Sequence, residues 1–157
     1  MNRDLCLLIL GSVLAFLGGL VAFFIQGWWN KRIQRKVVHD FLLELVRNFE
    51  RVSPRVIETY EKSGILWNDL LNQIGDDLAL YERNREHSIL IVNHELRATV
   101  WDWFSRLRTI VNMCYGLNNM IAANPNNQWA KDEIKNQVSK IKTLKGDAVQ
   151  LATRLDF

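Results

Sequence analysis

Five basic side chains crowd one short stretch of the chain: Arg83, Arg85, His87, His94 and Arg97, with Trp101 one helical turn beyond Arg97. Guanidinium groups offer planar forks of donors that match phosphate oxygens, and an indole face can stack on a base. The cluster therefore suits an anionic ligand such as a cyclic oligonucleotide, held at a subunit interface. The commoner fate of such a cluster is a solvated face, with Arg83, Arg85 and Arg97 paired to Glu82, Glu86 and Glu95. His87 and His94 are one heptad apart. That is not the i, i+4 spacing of a helical zinc pair, and no Cys or carboxylate group completes four ligands, so no metal and no other cofactor is expected.

Enzyme signatures are missing. The sequence has no Walker loop, no G-x-S-x-G elbow, no H-E-x-x-H and no dinucleotide fingerprint. Asp76 and Asp77 form a carboxylate pair by sequence, but adjacent helical residues point about 100° apart and share a target poorly. A non-enzymatic role is the expectation.

The elements that would position the cluster are helices. Val38, Phe41, Leu42, Leu45, Phe49 and Val52 recur at steps of three and four, which predicts a helix over 31–52. Ser53-Pro54 predicts a break, followed by a short helix that Gly64 ends. Trp67, Leu70, Leu71, Ile74, Leu78 and Tyr81 predict a helix over 65–85, weakened at Gly75. The chain should turn near Glu86-His87-Ser88, and Ser88–Val92 reads equally as helix or as a short extended piece. Ile89, Leu96, Val100, Trp103, Leu107, Ile110, Cys114, Leu117 and Ile121 form a heptad seam. Trp101, Phe104, Val111 and Tyr115 widen that seam, which places this helix at the centre of a bundle. Ala123–Asn127 is a turn. A last helix carries Trp129, Ile134, Val138, Ile141, Leu144, Ala148, Leu151 and Leu155, with a possible interruption at Gly146-Asp147.

The N-terminus has a different composition. The 21 positions from Leu5 to Ile25 hold no charge and include seven Leu, two Ile, two Val and three Phe. A helix of that length matches a hydrocarbon core of about 30 Å. Trp28 and Trp29 follow, then Lys31, Arg32, Arg35 and Lys36. The run exceeds a signal-peptide core, and Leu20-Val21-Ala22-Phe23 is a poor cleavage site. The expectation is an all-α protein with one N-terminal transmembrane helix (residues 1–30) followed by a cytoplasmic helical bundle (residues 31–157). By the positive-inside rule it would sit in the inner membrane, N-terminus out. Gly11, Ala15 and Gly19 fall four apart on one face, a small-residue stripe that allows close helix packing. With the heptad seam, the stripe favours a homo-oligomer. Cys6 and Cys114 are poorly placed to pair, as in a reducing compartment.

Charge argues against nucleic-acid binding as such. Residues 31–157 carry 19 basic and 16 acidic groups, four of the basic ones between Lys31 and Lys36. The remainder is nearly balanced, so no DNA partner is expected.

Three phrases of sequence carry a resemblance: Phe41-Leu42-Leu43-Glu44-Leu45-Val46-Arg47-Asn48, then Asn93-His94-Glu95-Leu96-Arg97, then Phe104-Ser105-Arg106-Leu107. In size and layout the chain resembles the membrane-anchored ancillary effectors of type III CRISPR systems. That resemblance implies a cytoplasmic domain that binds cyclic oligoadenylate (cyclic tetra-adenylate, for example), a tetramer, and disturbance of the bilayer in antiviral defence. It transfers no ligand residue. Two other readings stand beside it: a scaffold that recruits a cytoplasmic protein through an apolar face, and a holin-like or exclusion protein.

Overall fold

The computed structural model describes residues 3–91 and 93–156, with side chains from residue 16 onward. Four α-helices follow one another: α1 (Arg3–Ser63), α2 (Asn68–Asn84), α3 (His94–Ala123) and α4 (Gln128–Leu155). A 3₁₀ turn, Arg85–Leu90, stands between α2 and α3. The chain divides into two compact units, Met1–Val37 and Val38–Phe157.

The second unit is an up-and-down four-helix bundle, and its side-chain pairs give the order. Arg47 meets Asp156 and Glu61 meets Lys142, so α1 and α4 run antiparallel. Thr99 meets Arg154 and Arg106 meets Asp147, so α3 and α4 do the same. Glu82 pairs with Arg108, Asn72 with Tyr115 and Asn68 with Asn118, which sets α2 against α3. Short connections make neighbours antiparallel by default. The core takes most of the residues the periodicity selected, including Leu42, Leu45, Phe49, Leu71, Ile74, Val100, Leu107, Cys114, Ile134, Ile141 and Leu151, and adds Leu43, Val46, Leu66 and Ile91. Trp103 is its largest member. Its ring meets Phe49 and Phe104 edge-on, at 5.1 and 4.9 Å between centroids, and its Nε1 donates to the Leu144 carbonyl at 3.2 Å.

Local chemistry sets the helix ends. Gly64 adopts φ 68°, a conformation glycine takes without a Cβ clash, and terminates α1. The Asn93 side chain accepts from the Leu96 amide, and the Asn127 side chain from the Ala130 amide, so each asparagine caps the helix that follows it. Two expected interruptions do not occur. α1 continues through Pro54 to Ser63. Phe49, Val52, Ser53 and Val56 around the proline are all buried, and that packing outweighs a local cost of about 3 kcal/mol. α4 likewise runs unbroken through Gly146-Asp147. Trp67 and Trp129, expected inside, are 56% and 60% exposed.

The first unit corrects the membrane assignment. Among the described residues no helix is long and apolar enough to cross a membrane. Described side chains begin at Phe16, and Gln26 follows Ile25, which leaves about half of the roughly 20 apolar residues a span needs. Leu5–Ala15, the rest of the expected span, lies outside the described side chains. The transmembrane helix, its single-pass topology with the N-terminus out, and the inner-membrane localisation are therefore not supported. What the unit shows is a stretch of α1 whose residues from Phe16 to Val37 are exposed, with the Arg32 guanidinium 5.6 Å from the Trp28 ring centre. Of the small-residue stripe, Gly11 and Ala15 lie outside the described side chains. A Cβ placed on Gly19 would meet nothing within 4 Å.

Candidate functional site

The basic residues from Arg83 to Arg97 fall where α2 gives way to α3. Asn84 closes α2 by donating from its side chain to the Leu80 carbonyl at 2.9 Å. The 3₁₀ turn that follows buries one polar residue, Ser88, which is 1% exposed. Its hydroxyl donates back to the Arg85 carbonyl at 2.5 Å and accepts from the Trp101 Nε1 at 2.6 Å. The indole of α3 is thereby tied to the turn that carries Arg85. Arg97, one helical turn before Trp101, donates to the Ile89 carbonyl at 3.3 Å, a second tie between helix and turn.

Two guanidinium groups converge on the indole. Arg85 lies 5.7 Å and Arg97 5.8 Å from the Trp101 ring centre, both inside the range where a cation is attracted to an aromatic face. Trp101 is 39% exposed. It is a surface residue held in place, not part of the core.

The expected neutralising partners are absent. Glu82 pairs with Arg108 at 3.0 Å, not with Arg83 or Arg85. Among the described residues no carboxylate lies within ion-pair distance of Arg83, Arg85 or Arg97. Burial pushes the Tyr81 hydroxyl up to about 12, against a smaller opposing pull from Arg85.

The structure thus brings three of the six expected residues together, Arg85, Arg97 and Trp101. Arg83 is exposed in the last turn of α2, and His87 and His94 are exposed in the 3₁₀ turn and at the start of α3. No hydrogen bond or ion pair among the described residues joins any of these three to the cage that Arg85, Arg97 and Trp101 form. Ser88 was not singled out by sequence. Its only signal there was its place in the expected turn. No group of His, Cys, Asp and Glu among the described residues could hold a metal ion.

A concavity of about 460 Å³ lies elsewhere, between α3 and α4 over Ile110, Met113 and Leu144. Its polar groups are largely engaged within the protein. Arg106 pairs with Asp102 and Asp147. Hydrogen bonds from Asn136 and Gln137 hold the Glu133 carboxyl below the usual carboxylate range. What sets the cage apart is that two guanidinium groups without an ion-pair partner among the described residues lie near the same ring.

No family model matches the chain, and no curated protein or solved structure matches it either.

Proposed function

We propose that the bundle is a non-enzymatic binding domain for a phosphate-bearing ligand, taken between Arg85 and Arg97 beside Trp101. The observation that carries this is the convergence of two guanidinium groups without carboxylate partners on one exposed indole. Surface arginines usually find an acid or point into water. Two that lie near one ring raise the local positive potential, and an oxyanion within reach of both gains two charge-assisted contacts. A cyclic oligonucleotide such as cyclic tetra-adenylate belongs to this ligand class. The cage by itself says nothing of antiviral signalling, and the layout resemblance that suggested it leaned on a membrane anchor that the described residues do not support. The test is calorimetric titration of the full chain with cyclic tetra-adenylate, AMP and inorganic phosphate. Binding that weakens tenfold or more in Arg85→Ala and in Arg97→Ala is the expected result. Absence of binding by every phosphate compound overturns the proposal.

A second reading has its own observation. Ile65, Trp67, Met120 and Trp129 are exposed at the opposite end of the bundle, around the α1–α2 and α3–α4 connections. Asn118 ties that end together by donating to the Leu66 carbonyl and the Asn68 side chain. Exposed aromatic side chains of this kind favour a scaffold that recruits a protein partner. Under this reading Trp67→Ser with Trp129→Ser would abolish partner recruitment and leave anion binding untouched.

A further inference from the structure

The cage presents charge and little else, and that bears on what kind of ligand it can distinguish. Resting on the binding role proposed above, we infer that the site reads the phosphate group of its ligand and is indifferent to the base. The indole is then the platform that holds two cations, not a stacking surface. Base recognition needs a free aromatic face and uncommitted donors or acceptors for base edges. Both are in short supply here. Arg85 and Arg97 already lie over the Trp101 ring, so a base stacking there competes with them. The ring's single polar atom, Nε1, is spent on Ser88.

The neighbouring polar side chains are each turned toward the protein by a hydrogen bond of their own. The Asn84 amide nitrogen donates to the Leu80 carbonyl. The Asn93 oxygen caps α3. The Thr99 hydroxyl donates to the Glu95 carbonyl. His87 and His94 are exposed and carry no fixed hydrogen-bond partner among the described residues, so neither is held in place to read an edge. The guanidinium forks remain, and they match an oxyanion whatever nucleoside follows it.

The same geometry makes Ser88 the positioning residue of the site. Its hydroxyl links the Arg85 main chain to the Trp101 ring, so it sets the distance between the turn that bears one cation and the platform that bears both. Ser88→Ala removes the link without removing a charge. Trp101→Phe removes the same hydrogen bond from the other side and keeps an aromatic face.

Calorimetric titration of the full chain with adenosine, AMP and UMP separates the possibilities. The expected result is that AMP and UMP bind within threefold of each other, that adenosine does not bind, and that Ser88→Ala and Trp101→Phe each weaken AMP and UMP about tenfold and equally. Far-ultraviolet circular dichroism of both variants should match the parent. If AMP binds more than tenfold tighter than UMP, or adenosine binds alone, the base is read and the inference is overturned while the anion site stands. If AMP and UMP bind equally but both variants retain full affinity, Ser88 does not position the cage. If neither nucleotide binds, and inorganic phosphate and cyclic tetra-adenylate do not bind either, the binding role fails, and the inference with it.

Discussion

Replacing Arg97 by alanine should cost the fold little and the ligand a great deal. The guanidinium makes one hydrogen bond, a 3.3 Å contact to the Ile89 carbonyl, and lies 5.8 Å from the Trp101 ring centre. A cation–π contact at an exposed site contributes about 0.5–1 kcal/mol. Against that loss stands relief of repulsion from Arg85. For two unit charges roughly 5–10 Å apart in water this is about 0.4–0.8 kcal/mol. The free protein should therefore change by less than about 1 kcal/mol, or about 4 °C in Tm for a domain of this size. Ligand changes the comparison. AMP at one hundred times its dissociation constant should stabilise the parent by about 2.7 kcal/mol, a rise of about 10 °C. Truncating one partner of a desolvated charge pair costs about 2–5 kcal/mol, which weakens affinity at least about thirtyfold and cuts the rise to about 3 °C or less at the same AMP concentration. The assay is thermal unfolding followed by circular dichroism, with and without AMP, on parent and variant. A drop of more than about 10 °C in the free variant would show that the guanidinium holds the fold together. An unchanged rise with AMP would remove Arg97 from the site.

Two further expectations concern the bundle that supports the cage. The buried Tyr81 hydroxyl has no hydrogen-bond partner among the described residues, and its ring stacks on Phe104 at 3.8 Å between centroids. Tyr81→Phe should therefore be neutral or stabilising by about 1 kcal/mol at pH 8. Burial raises the folded-state value from 10.0 to about 12, so the folded state keeps a proton that the unfolded chain releases. The stability tied to that proton is present below pH 10 and lost as pH rises toward 12. Urea midpoints at pH 8 and pH 11 should fall less in Tyr81→Phe than in the parent, and equal falls refute the assignment. At Gly75 a Cβ would stand 3.1 Å from the Tyr115 hydroxyl, which donates to Asn72 at 2.8 Å. Gly75→Ala should gain less than the usual helical increment of about 1 kcal/mol in the parent and recover it in Tyr115→Phe. A double-mutant cycle with zero coupling would refute that contact.

Periodicity made most of the bundle legible. The seam from Leu96 to Leu117 is buried throughout, as are Leu70, Leu71, Ile74, Leu78 and Tyr81 on α2. Failures gathered where tertiary packing overrides a local signal, or where a pattern reaches the end of an element. Pro54 is a breaker by its chemistry, but its apolar neighbours hold the helix through it. Ile89 continues the heptad numerically, yet it lies in the 3₁₀ turn and is exposed. Trp67 is the N-cap of α2 and Trp129 stands in the first turn of α4, and at these ends the neighbouring Leu66 and Ala130 are buried in place of the tryptophans. The pairing of the cluster was not legible at all. Choosing between Arg108 and Arg83 or Arg85 as the partner of Glu82 depends on how α3 lies against α2, which spacing along the chain does not encode.

That last choice is what turns a charge cluster into a candidate site. Had Glu82 answered Arg85, the cage would hold one spare cation beside an aromatic ring, an arrangement common on protein surfaces. Because Arg108 takes Glu82, Arg85 and Arg97 face the same indole with no acid between them. Arg97 also lies in the opening turn of α3, where the helix dipole disfavours a cation. Ser88, the one buried polar side chain of the turn, holds this arrangement in place. Each feature alone is a small local cost, and an oxyanion at the cage relieves both the shared repulsion and the misplaced charge. If adding a carboxylate within reach of the guanidiniums raises stability by no more than the few tenths of a kcal/mol of an ordinary surface pair, the cage is not electrostatically frustrated. Its claim to an anionic ligand would then lose its basis.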